Sequence, residues 1–139
     1  MIELEFPVLA VAQGRPRATS RGGFVSMYTP AKTVNFKREL IRIAERAYRL
    51  DPMTGPLRVD LNFYLPRPKS AKKDVFVPIT RPDIDNYVKA VFDAMNEILW
   101  KDDSQVVDLR CKKLFAAGDP VITMRVRHVT SLDELKSTD

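Results

Sequence analysis

Hydrophobic and polar positions alternate and repeat along the chain in a way that sets out most of its elements. Ile2, Leu4 and Phe6 alternate with Glu3 and Glu5, the two-residue period of a half-buried strand within residues 2–10. Pro7 makes the far end of that strand an edge or a bulge. Residues 13–28 hold Gly14, Gly22, Gly23, Pro16 and three arginines, which predicts a flexible loop or a loose hairpin. Thr29-Pro30 then has the form of a helix start, Thr as N-cap and Pro at the first helical position. From there Val34, Leu40, Ile41, Ala44, Ala47 and Tyr48 share one helical face out to about residue 50.

Asp51, Pro52, Gly55 and Pro56 end that helix. Leu57, Val59, Leu61, Phe63 and Leu65 alternate cleanly, so residues 57–65 form a strand with one buried face. The prolines and lysines of PRPKSAKKD make an exposed loop. In the segment from Asp83 to Leu99, Ile84, Val88, Val91, Phe92, Met95, Ile98 and Leu99 step by three and four, the strongest helical pattern in the chain. Strands follow near 105–115 and 121–129, around a turn at Ala117-Gly118-Asp119-Pro120. The polar residues 130–139 read as a frayed tail. The order β, loop, α, β, α, β, β implies one α+β domain over residues 1–139, with two main helices on one side of a mixed sheet. Two helices leave part of such a sheet uncovered, which suggests a dimer.

Composition narrows the chemistry. The chain has 139 residues, 45% of them hydrophobic, which suits a single packed domain rather than disorder. Cys111 and His128 stand alone in their residue types, which excludes an internal disulfide and a structural zinc site and leaves little room for Ser–His–Asp or Cys–His catalysis. Carboxylates and lysine must carry any enzymatic chemistry, with an oxygen-loving metal such as Mg²⁺. The opening MIELEFPVLA lacks the basic region of a signal peptide, and no apolar run approaches the roughly 18 residues of a membrane span. The expectation is a soluble cytoplasmic protein with no membrane partner.

The net charge of +5 conceals an arrangement. Arg15, Arg17 and Arg21 lie on the Gly-containing segment, and Lys69, Lys72 and Lys73 in the second loop. Both loops are read as contacts to the phosphate backbone of a polyanion such as a nucleic acid. Further basic residues on the first helix are read as a solvated face. Phe24, Tyr28 and Phe76 are open to two readings, core packing or wedging against opened bases. Trp100, Cys111 and His128 are read as structural.

The acids gather further on, in RPDIDNYVKAVFDAMNEILWKDDSQVVD, residues 81–108. Pro82 biases Arg81 away from helical geometry, so Asp83 is a natural N-cap and Asp85 falls in the first turn. Two residues apart within a helix they would diverge by about 200°, but Asp83 is still extended at the junction and the two carboxylates can converge. Asp85, Lys89 and Asp93 then continue a polar stripe at steps of four. One reading is structural: a cap, a first-turn acid and i,i+4 Asp–Lys pairing, each worth about 0.3–1 kcal/mol. The other is catalytic: an Asp-x-Asp pair that holds Mg²⁺ beside a lysine that neutralises a phosphoryl group. Arg81 stands beside that pair, placed to hold a scissile phosphate. Asp102 and Asp103 join the group only if the chain returns along the helix.

Arg81-Pro82-Asp83-Ile84-Asp85-Asn86, Lys89, Asp93-Ala94 and Asp102-Asp103-Ser104-Gln105 resemble the signature of the RusA family of Holliday junction resolvases. Gln13-Gly14-Arg15-Pro16-Arg17 and Tyr28-Thr29-Pro30 are similar to the N-terminal part of many of its members. The resemblance implies a small homodimeric endonuclease that cuts four-way DNA junctions symmetrically with Mg²⁺ or Mn²⁺. By position it implies Asp83, Asp85 and Asp103 as metal ligands and Lys89 as the essential basic residue, the four together forming the catalytic set. Glu97 stands where many relatives have Gly, so either the helix runs on or it ends without a left-handed glycine. Two other functions compete: a branched-DNA-binding module without catalysis, and a metal-dependent hydrolase of small nucleotides.

Overall fold

The computed structural model describes residues 1–14, 17–21, 24–28 and 30–136, with the backbone course alone for the stretches within 17–28. A mixed four-stranded sheet carries the chain, built from β1 (Ile2–Phe6), β4 (Leu57–Leu65), β5 (Val106–Phe115) and β6 (Val121–His128) in the order β1-β6-β4-β5. β2 (Arg17–Arg21) and β3 (Phe24–Tyr28) form a separate antiparallel hairpin, with Arg17 opposite Tyr28 and Arg21 opposite Phe24. Of the two readings of this segment, the hairpin is the one found. The helices are α1 (Ala31–Ala47), α2 (Ile84–Met95) and a short α3 (Leu132–Lys136). The α+β class, the mixed sheet and the single domain agree with the sequence pattern.

β4 pairs antiparallel with β6 and parallel with β5. Parallel neighbours need a crossover, and here α2 supplies it, so β4-α2-β5 is a βαβ unit. The alternation in β4 buries Leu57, Val59, Leu61 and Phe63 completely beneath the helices. α1 contributes Phe36, Leu40 and Ala44, with Thr33 on the same stripe at steps of three and four. Each large side chain buried in this way is worth about 1.5–3 kcal/mol.

Three expectations need correction. α1 starts at Ala31 with Pro30 as its cap residue and ends at Ala47; Thr29, the expected cap, lies outside the described residues. Val34 is 39% exposed, and Ala47 is exposed too, because Phe36 and Leu40 set the phase of the buried stripe. Val34 sits two residues before Phe36 and so points about 200° away. Second, α2 stops at Met95. Glu97 adopts a left-handed φ of 67°, and its amide donates to the Trp100 carbonyl at 2.6 Å. Leu99 and Trp100 are fully buried but belong to the turn that follows, fixed by the Trp100 indole N–H donating to Asn96 Oδ1 at 2.8 Å. The helix thus ends without glycine, with a glutamate in the left-handed position. Third, part of the expected tail is ordered. The buried Arg58 donates to Asp108 Oδ2 at 2.5 Å and to the Glu134 carbonyl at 2.8 Å, which pins α3 to the end of the sheet.

The sheet face away from α1 and α2 is polar. Glu3, Asp60, Asn62, Arg110, Lys112 and Arg125 line a shallow depression of about 660 Å³ there. The uncovered face is therefore not an apolar surface that requires a partner. No helix among the described residues is long and apolar enough to cross a membrane.

Candidate active site

The acidic pair is delivered by the turn that closes the 66–82 loop. That turn contains a cis peptide bond between Arg81 and Pro82. Asp83 follows in extended geometry, φ −68° and ψ 148°, and is the residue at the N-cap position of α2. Its carboxylate makes no capping hydrogen bond, although the Asn86 amide does reach the Asp83 carbonyl at 3.1 Å. Asp85 and Lys89 are both exposed on the first turns of α2. The ion pairs among the described residues are Arg42–Glu39, Arg58–Asp108 and Arg125–Glu3, so Asp85 and Lys89 do not pair with each other. Of the three structural duties open to these residues, Asp85 keeps one, that of an acid in the first turn, while side-chain capping and i,i+4 pairing with Lys89 are left unperformed.

The start of α2 is held firmly. Tyr87 stacks on Phe63 of β4 with ring centroids 5.2 Å apart, and burial raises the pKa of its hydroxyl. The Gln13 amide donates to the Asn86 carbonyl at 3.0 Å, so the chain approaching Arg15 docks on the first turn of α2. From the other side, Lys113 Nζ donates to the carbonyls of Thr80 and Pro82 at 3.0 and 3.1 Å.

The Asp102-Asp103-Ser104-Gln105 run divides its labour. Asp102 caps a single 3-10 turn, Asp103–Gln105, by accepting from the Ser104 amide at 3.0 Å. That hydrogen bond lowers the pKa of its carboxyl below the ordinary value. Gln105 Oε1 accepts from the amides of Lys101 and Asp102 at 2.9 and 3.0 Å. Its Nε2 donates to the carbonyls of Met53 and Gly55 at 2.9 and 3.0 Å. Asp103 is half-buried and is the member of the run with no such task in the turn.

Asp103 does not join Asp83 and Asp85 within one chain. Leu57 faces Val106 at one end of the β4–β5 pair, beside the 3-10 turn, whereas Lys113 near the other end reaches Pro82. The full length of α2, about 18 Å for its 12 residues, separates the two acidic groups. Among the described residues no group of three His, Cys, Asp or Glu side chains is close enough to hold a metal ion. The strand after α2 does run back along the helix, but Asp103 stands at its beginning, so the return carries the chain back to the acids only by Lys113.

The basic loop belongs to the Asp83 end. Lys69, Lys72 and Lys73 are exposed on the segment that joins the end of β4 to Asp83, and Arg81 is exposed beside it. Arg67 has a different role, donating to the Val75 and Lys72 carbonyls at 2.6 and 2.7 Å and lying 4.9 Å over the Phe115 ring. Phe76 and Ile79 of the same loop are 82% and 79% exposed. Gly14, Pro30, Thr80 and Arg81 line a common groove of about 530 Å³, so both flanks of the hairpin lie at this end. Arg15 lies outside the described residues, as do the side chains of Arg17, Arg21, Phe24 and Tyr28.

A model of the family described as "Endodeoxyribonuclease RusA" matches residues 7–127, a span that includes both the acidic run and the N-terminal basic segment. The chain belongs to the RusA endodeoxyribonuclease family. It is also 42% identical over 131 residues to the uncharacterized protein YqaN of Bacillus subtilis (strain 168), covering 87% of this chain and 92% of that protein. Within this RusA chain, sequence reasoning missed Lys113, Asn96 and the structural role of Gln105. Lys113 had a visible signal, because it interrupts the apolar row Leu109, Cys111, Phe115 on the helix side of β5. Trp100 meets its expectation as core, edge-on to Phe92 at 5.4 Å.

Proposed function

We propose that this RusA-family chain is a Mg²⁺-dependent endodeoxyribonuclease that resolves four-way DNA junctions by paired phosphodiester hydrolysis, with Mn²⁺ an alternative metal. The observation that carries the reading is the unspent state of Asp83 and Asp85. Two carboxylates two positions apart neither cap the helix nor pair with any basic residue among the described ones, at the end of the molecule that also presents the lysine loop. An all-oxygen donor set of this kind fits a hard divalent cation. Bound there, the metal supplies Lewis acidity for the scissile phosphate and a lowered pKa for an attacking water.

The remaining duties fall to the chain. Lys89 lies one helical turn beyond Asp85 and neutralises charge developing on the phosphate. Arg81 holds the phosphate bidentately beside Asp83. Lys69, Lys72 and Lys73, with Arg15, Arg17 and Arg21, follow the backbone of the DNA arms. Phe76, 82% exposed, wedges against bases at the opened crossover.

Asp103 enters from a second copy. Because α2 separates it from Asp83 in its own chain, Asp103 can complete the acidic set only in a two-fold dimer, across which it meets the Asp83 and Asp85 of a second copy. Such a dimer holds two equivalent sites for the two strands cut in a junction.

The test is incubation with a synthetic four-way junction and with linear duplex of the same sequence, with and without Mg²⁺. Paired symmetric nicks in the junction alone, and only with Mg²⁺, are expected. Binding without cutting would leave a branched-DNA-binding module instead.

A further inference from the structure

We propose that Lys113 is a positioning residue for the metal-binding acids, holding the turn that presents Asp83. The proposal rests on the reading of Asp83 and Asp85 as metal ligands. Beyond the bulge near its start, odd-numbered residues of β5 face the helices: Leu109 lies opposite Val59, Cys111 opposite Leu61, and Phe115 opposite Leu65. Cys111 packs against the core at this face. Lys113 lies opposite the fully buried Phe63, where the pattern calls for another apolar side chain. A lysine in such a row gives up packing for its ammonium, and a locally broken rule of this kind is where function or strain is expected.

The ammonium, although at the surface, has two fixed partners. It donates to the Thr80 carbonyl at 3.0 Å and to the Pro82 carbonyl at 3.1 Å, bracketing Arg81. The Pro82 carbonyl belongs to the peptide plane that leads into Asp83, so the second bond fixes the direction in which the Asp83 side chain leaves the backbone. Lys113 also reaches these carbonyls from a stretch of sheet hydrogen-bonded to β4, a more rigid support than the loop itself. The ammonium thereby joins the βαβ unit to the turn as an outer partner of the metal-binding carboxylate, which it orients without touching. Groups bonded directly to a metal ligand typically alter metal affinity by about 10–100-fold when removed, and Lys113, acting through the backbone beside the ligand, belongs at the lower end of that range.

The experiment compares the wild-type protein with Lys113→Met and Lys113→Arg. Hydrogen exchange is followed in the metal-free protein, Mn²⁺ binding by electron paramagnetic resonance, and junction nicking against Mg²⁺ concentration. In Lys113→Met, exchange around residues 80–88 should accelerate while β4 and β6 keep their protection. Mn²⁺ affinity should weaken by about tenfold, and the half-saturating Mg²⁺ should rise to match. Lys113→Arg should restore part of both. Unchanged exchange and unchanged Mn²⁺ affinity in Lys113→Met would overturn the proposal, as would acceleration spread evenly over the sheet. A wild-type protein that neither binds Mn²⁺ nor nicks the junction would instead overturn the functional reading beneath it.

Discussion

The amide of Gln13 donates to the carbonyl of Asn86 at 3.0 Å, and this one bond ties the N-terminal basic motif to the acidic one. Asn86 stands one residue after Asp85 on the first turn of α2, and Gln13 stands two residues before Arg15. Residues far apart along the chain therefore converge on the end of the molecule that carries Asp83, Arg81 and the lysine loop. Asp103 is excluded from that end, which gives the fold a polarity that mutation can probe.

The separation of Asp103 from Asp85 makes complementation between inactive copies possible. In the proposed dimer, Asp85→Asn and Asp103→Asn should each abolish junction cutting when both copies carry the same change. Mixed dimers, formed by co-expression with two purification tags, should regain one site, built from unaltered acids of both copies. They should nick one strand per junction. Mixed dimers as inactive as both parents would place the full ligand set within single chains.

Gln105 makes four hydrogen bonds to backbone groups, two as acceptor and two as donor, joining the 3-10 turn to residues 53–55. Gln105→Ala should destabilise the protein by about 2 kcal/mol. Gln105→Glu, which keeps the acceptor and loses the donor, should lie between. Urea unfolding monitored by Trp100 fluorescence, whose side chain is buried nearby, measures both.

Glu97 occupies the left-handed region with φ 67°, where a non-glycine residue costs roughly 1–2 kcal/mol. Glycine would relieve that cost, though its greater freedom in the unfolded chain offsets part of the gain. Glu97→Gly should therefore stabilise the chain by about 0.5–1 kcal/mol, read as a higher urea midpoint at unchanged slope. Nicking activity should be unaffected.

Lys69, Lys72 and Lys73 are exposed on the loop that leads to Asp83. Replacing all three by alanine should weaken junction binding without altering which strands are cut. The slope of log affinity against log salt should shrink by about 0.9 for each phosphate the loop no longer neutralises. Binding titrations over a range of NaCl concentrations decide this, and an unchanged slope would remove the loop from the DNA interface.

Much of this was legible in the residues themselves. The alternation of β4 from Leu57 to Leu65 and the three- and four-residue steps of α2 specify those elements, because each has one face to bury and a strong periodic pattern. Asp83 and Asp85 were legible as a pair because the Arg81-Pro82 step fixes where the helix can start. The phase of α1 was not, since Val34, Phe36 and Ile41 offer overlapping apolar stripes and only packing against the sheet selects Phe36 and Leu40. The end of α2 was hidden for a similar reason. Ile98 and Leu99 continue the helical period, yet the buried Trp100 and its bond to Asn96 turn the chain earlier. The separation of Asp103 from Asp85 depends on the direction of β5 relative to α2, a tertiary fact that spacing in sequence does not carry. Lys113 was readable only as an exception, and its meaning required seeing which carbonyls it meets.

The most direct test of the central claim is a side-by-side comparison of wild-type protein and Asp85→Asn on a four-way junction in Mg²⁺, with junction binding measured in the same samples. A metal-dependent nuclease built on this acidic pair predicts that the variant loses nicking while binding the junction as tightly as the wild type, or more tightly, since a negative charge beside phosphate is removed. Wild-type turnover in Asp85→Asn would contradict it.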